Sequence, residues 1–114
     1  MQISEELRGS VDVISLEGKL IGGEEVTALH STIKSCLEDK TNKIIIDLKD
    51  LKWIGSVGIG ILICCLTTVR NAGGELRLTG LSEKVDRLLL MTKLNHVFDV
   101  YPTIDKAVAS FDVH

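Results

Sequence analysis

The sequence predicts an α/β fold, and three observations carry that class. Short β-branched or alternating segments are separated by longer stretches whose apolar residues recur every three or four positions, so strands alternate with helices. The run Ile44-Ile45-Ile46 is apolar at every position, which suits a central strand covered on both faces. Two strand-like segments joined by a turn open the chain, so the sheet is mixed, mostly parallel, with about five strands. The predicted order is β-β-α-β-α-β-α-β-α, with right-handed crossovers and helices packed against the sheet. Whether the crossovers share one face is not fixed by periodicity.

Each element follows from local chemistry. Residues 3–7 alternate apolar and polar, Arg8-Gly9-Ser10 supplies a turn, and residues 11–16 read as the second strand. Gly18 and Gly22-Gly23 then break the pattern, and Glu24-Glu25 place negative charge where a helix N-terminus favours it. Val26, Leu29, Ile33 and Leu37 form one stripe, with Cys36 beside it, on a helix ending near Asp39-Lys40. After the Ile44–Ile46 strand, residues 47–52 read as a charged exit, with Leu51, Trp53 and Ile54 tucked back against the core. Trp53 is expected to pack beneath that loop.

A very apolar helix over residues 57–71 follows, with Ile59, Leu62, Leu66 and Val69 as its main stripe and Ala72-Gly73-Gly74 ending it. Residues 75–79 alternate as a strand. Ser82 is placed to cap the next helix, whose inward face is Val85, Leu88, Leu89 and Thr92. Residues 97–101 form the last strand, Pro102 ends it, and Thr103 caps a final helix with Ile104, Ala107, Val108 and Phe111 inward.

Composition excludes several functions. At 114 residues the chain is one domain, residues 1–114, with 45% apolar and 25% charged residues, as in soluble globular proteins. Only 4% is aromatic, so the core is aliphatic. A net charge of −3 gives no footprint for nucleic acid. The strongest apolar run, residues 57–66, is about half the roughly 20 residues of a membrane span, so no membrane insertion is expected. No signal peptide is read at the start, and a cytoplasmic location is expected. Cys36, Cys64 and Cys65 show no zinc spacing and read as buried small hydrophobes on helices. His30, His96 and His114 are scattered, so neither metal nor cofactor is expected.

The distinctive stretch is Gly55-Ser56-Val57-Gly58-Ile59-Gly60, between strand and helix. It is not a serine elbow, because Gly-x-Ser-x-Gly requires glycine where Ile54 stands. Nor is it a phosphate loop, since no lysine occurs between Lys52 and Lys84. These glycines are expected to let the helix start pack closely on the sheet. Read from the residues alone, Ser56 is either an N-cap or an acceptor for phosphate, which a helix N-terminus stabilises.

Taken together, Ile46-Asp47-Leu48, Leu51, Trp53-Ile54, Ser56, Gly58 and Gly60 resemble the signature of the STAS domain family, specifically its stand-alone bacterial anti-sigma factor antagonists. Residues 70–76 and 94–98 are similar to later landmarks of the family. The resemblance implies partner switching without enzymatic activity. The unphosphorylated protein would bind an anti-sigma factor that is also a serine kinase, and so free the sigma factor. Phosphorylation of Ser56 would end binding, and a PP2C-type phosphatase would reverse it. Gly55, Ser56, Val57, Gly58, Gly22 and Gly23 would meet the partner, and the protein would be a monomer or weak dimer. One departure is that the family usually has Asp before the serine, where this chain has Gly55. The alternative is a constitutive interaction or scaffold module in a signalling assembly or transporter complex.

Overall fold

The computed structural model describes residues 2–111, so His114 lies outside the described residues. The elements are β1 (Gln2–Arg8), β2 (Val11–Leu20), α1 (Glu24–Glu38), β3 (Lys43–Ile54), α2 (Ser56–Asn71), β4 (Glu75–Thr79), α3 (Glu83–Met91), β5 (Asp99–Tyr101) and α4 (Ile104–Ser110). The predicted α/β order holds throughout. The strands lie in chain order, β1-β2-β3-β4-β5, with β1 antiparallel to β2 and every later pair parallel.

The isoleucine run explains the layering. Ile44, Ile45 and Ile46 are fully buried, and strand alternation sends the outer two to one face and Ile45 to the other. Ile44 and Ile46 join Ile14, Leu16, Leu76 and Leu78 beneath α1, α2 and α3. Ile45 joins Val11 and Val13 beneath α4, through Ala107 and Phe111. The three crossover helices therefore share one face, and α4 covers the other. On the α4 side the guanidinium of Arg77, itself 9% exposed, lies 3.8 Å from the ring centre of Phe111. An ion pair of 2.7 Å from Arg8 to Asp105 ties β1 to α4.

Several expectations need correction. The predicted charged exit at residues 47–52 is strand, because β3 runs unbroken to Ile54. Gly18 does not end β2, which continues beside β3 as far as Leu20. Both errors have one cause. Ser15 pairs with Asp47 but Glu17 with Asp50, and Gly18 with Leu51 but Lys19 with Trp53. Each shift places one extra residue in β3, a bulge that breaks the period-two pattern by which a strand is recognised. The second bulge also turns Trp53 outward, so it is 50% exposed and not packed under a loop. The last strand is shorter than predicted: only Asp99–Tyr101 pairs with β4, while Phe98 sinks into the core. Cys36 and Cys65 are buried as expected, but Cys64 is exposed on the outer face of α2.

Candidate functional site

The parallel strands β2, β3 and β4 each lead into a helix at the same sheet edge, so three helix N-termini gather at their carboxyl ends, where α/β sheets commonly bind ligands. The middle one, α2, differs from its neighbours. Its N-cap is Gly55, in extended conformation, which makes no side-chain cap bond, and no acidic residue lies in its first turn. By contrast α1 begins with Glu24 and Glu25, and α3 has Glu83 and Asp86 in its first turn and a serine cap.

Ser56 is thus the first residue of α2, not its cap. It is exposed, and among the described residues its hydroxyl takes part in no hydrogen bond. The first-turn N–H groups of a helix lack intrahelical acceptors and carry its positive dipole end, so negative charge at this hydroxyl is stabilised. Beside it Val57 is 57% exposed, whereas Gly58 and Ile59 are buried.

Gly58 anchors the mouth of the helix. A Cβ there would lie 2.5 Å from the Leu20 carbonyl oxygen and 2.7 Å from Ile54 Cγ1, so only glycine lets α2 sit this close to β2. Gly60 and Gly55 face open space, so the close-packing expectation holds at Gly58 and not at its neighbours. The mouth is fixed to β2 by a 3.0 Å bond from Gly55 N–H to the Leu20 carbonyl. The Gly22-Gly23 turn lies alongside: a Cβ on Gly22 would be 3.7 Å from Val57 Cγ1. Gly23 caps α1 at φ 69°, a left-handed conformation suited to glycine. The structure therefore brings Gly22 against the Gly55–Gly58 stretch. Gly23, one residue further along, meets nothing within 4 Å of a Cβ.

A second feature was not legible in the sequence. β4 pairs with β3 only as far as Asp47, so the last seven residues of β3 overrun it, and α3 packs against β3 instead. Between them lies a cleft of about 360 Å³. Lys52, Trp53, Ile54, Gly55 and Ser56 bound one side, and Lys84, Val85, Arg87, Leu88 and Met91 the other. Its walls are mainly apolar, and its three charged side chains are all cations in a chain whose net charge is −3. Lys84 Nζ stands 5.8 Å from the Trp53 ring centre, at the outer limit of a cation–π contact. Met91 is 75% exposed, and Ile21 and Leu90 add further exposed apolar surface in the helix-mouth loops and on α3. Only the bulges that swing Trp53 outward create this wall, and nothing in the local sequence announces them.

Among the described residues no histidine joins the site: His30, on α1, pairs with Cys64 and Thr68 of α2, and His96 contacts Asn95. The fold and site define an open α/β domain that displays its distinctive residues on a surface rather than enclosing them. Residues 2–107 match the STAS domain family, and the chain belongs to it. A Thermotoga maritima protein is 34% identical over 67 residues, 59% of each chain, so the match spans about three-fifths of that relative's length. The crystal structure of an anti-sigma factor antagonist from Mycobacterium paratuberculosis superposes with a TM-score of 0.82 at 26% identity, covering 96% of this chain and 92% of that one. The anti-sigma factor antagonist SpoIIAA of Bacillus shares the fold in its unphosphorylated and phosphorylated forms. The TM-scores are 0.76 and 0.74, each at 18% identity, and the coverage is 99% and 96% of this chain and 100% and 99% of SpoIIAA. Anti-sigma factor antagonists are regulatory binding proteins rather than enzymes. Among the described residues no helix is long and apolar enough to cross a membrane.

Proposed function

We propose that the protein is a cytoplasmic anti-sigma factor antagonist that acts, as a monomer or weak dimer, by partner switching. Its unphosphorylated form binds an anti-sigma factor with serine kinase activity; phosphate on Ser56 ends that binding, and a PP2C-type phosphatase restores it. The observation that carries this reading is the exposed, unbonded hydroxyl of Ser56 on an uncapped, acid-free helix mouth. A phosphate there would gain the helix dipole and the nearby cations of the cleft without disturbing the core. The apolar walls of the cleft, with Val57, supply area for a partner, and Lys52, Lys84 and Arg87 favour an acidic one.

The test is incubation with the cognate kinase and ATP, followed by mapping the modified residue by mass spectrometry. Phosphate on Ser56 is the expected result, and an unmodified Ser56 removes the switch. A constitutive scaffold role is favoured by one observation, the absence of a carboxylate at Gly55 beside the acceptor hydroxyl. On that reading the Ser56→Ala and Ser56→Asp variants bind a partner equally well.

A further inference from the structure

Far from the helix mouths, three side chains from three elements converge. Glu5 on β1 and Asp12 on β2 are diagonal neighbours on the face beneath α1, because Glu5 pairs with Ile14 and Leu7 with Asp12. Cys36, near the end of α1, comes down onto them. Its thiol donates to Asp12 Oδ2 at 2.9 Å and lies 3.8 Å from Glu5 Oε2. One ligating atom from each residue falls within 4.8 Å of the other two.

Asp12 is 3% exposed, and its Oδ1 has no hydrogen-bond donor. A thiol is a weak donor, and a buried carboxylate ordinarily requires strong donors or a cation. Among the described residues no basic nitrogen comes within 4 Å of Glu5, Asp12 or Asp39. The last turn of α1 carries no basic residue, and a helix C-terminus adds negative potential of its own. Apart from the weakly donating thiol the cluster holds only acceptors, and the missing complement is positive charge.

We propose that Glu5, Asp12 and Cys36 form a binding site for a divalent cation of zinc-like softness. One thiolate and two carboxylates suit zinc or cobalt, whereas magnesium and calcium avoid sulfur. With metal–ligand bonds of about 2.0–2.3 Å, tetrahedral ligands stand about 3.6 Å apart, close to the separations already present. On binding, the Cys36 S–H bond breaks, its proton passes to solvent, and a sulfur–metal bond forms; Asp12 Oδ1 gains its absent partner. The exposed side of Glu5 leaves the fourth position to water. The three ligands lie far apart in the chain, so no spacing motif marks the site.

Cobalt(II) added to the purified protein reads out thiolate ligation through a near-ultraviolet charge-transfer band, and zinc affinity follows from calorimetric titration. Cys64 and His30, 3.8 Å apart, are a competing pair, so Cys64→Ser is the reference protein. One equivalent of cobalt should give the band in Cys64→Ser, and Cys36→Ser in that background should abolish it. Zinc binding should weaken at least tenfold in Glu5→Gln, since loss even of outer-sphere partners weakens sites by about 10–100-fold. Circular dichroism checks the core variant; should Cys36→Ser fail to fold, the exposed Glu5→Gln decides alone. A band lost with Cys64→Ser, no band at all, or unchanged zinc affinity in Glu5→Gln overturns the site.

Discussion

Two serines begin helices at the same edge of the sheet, and they do opposite things. Ser82 is the N-cap of α3: its backbone is extended, and its oxygen accepts from the Val85 N–H at 3.3 Å. Ser56 stands one position further into α2, after a glycine cap, and its hydroxyl is unbonded. A cap oxygen is engaged with its own helix and half-withdrawn from chemistry. A hydroxyl at the first helical position points outward with the dipole behind it. One residue of register separates a structural serine from an available one.

Substitutions can break this contrast, beginning with the largest effect. Gly58→Ala drives a methyl onto the Leu20 carbonyl and should cost about 1–3 kcal/mol in chemical denaturation, by the usual cost of overpacking. Gly60→Ala, in open space, should leave stability equal or raise it by about 0.5–1 kcal/mol through helix propensity. Next, Ser56→Asp should weaken anti-sigma factor binding at least tenfold in calorimetry, about 1.4 kcal/mol. Ser82→Asp preserves a capping oxygen and should bind as wild type. Equal losses for both variants would erase the distinction between the two serines.

Smaller effects sharpen the same point. Ser82→Ala should lower stability by about 1 kcal/mol, the ordinary value of a cap, while Ser56→Ala changes the denaturation midpoint little. The cysteines give a last check on accessibility. Burial pushes the Cys65 thiol up to about 12 and also raises that of Cys36, whereas Cys64 is exposed. Iodoacetamide on the folded, metal-free protein should therefore label Cys64 alone, as peptide mapping would show.

The element order could be read because each helix stripe and most strands obey their own period. Ile44-Ile45-Ile46 announced a central strand because both faces are covered, a condition that leaves its mark on every residue. What failed were features fixed by pairing rather than by period. The two bulges in β3 exist only relative to β2, so residues 47–52 looked like an exit and Trp53 like a core ring. The cap assignment of Ser56 failed by one position because Gly55 takes the extended conformation itself. Of the candidate site, the stretch around Ser56 was legible as a motif. Its cationic cleft was not, since Lys84, Arg87 and Met91 are brought there by the overrun of one strand past another. The Glu5, Asp12 and Cys36 cluster was hidden for the same reason, being assembled across three elements.

The solitary helix α4 has a bearing on how the chain is made. It emerges from the ribosome after all five strands, so the face holding Val11, Val13 and Ile45 stays wet while the opposite face, with α1, α2 and α3, can already close. During that interval the Ser56 mouth is complete on one side of a half-covered sheet. A nascent chain halted before Ile104 would offer partners and chaperones two different surfaces at once: a finished recognition edge and an apolar strand face meant for α4. The Arg8–Asp105 pair, joining β1 to α4, can form only once that helix has docked on the waiting face.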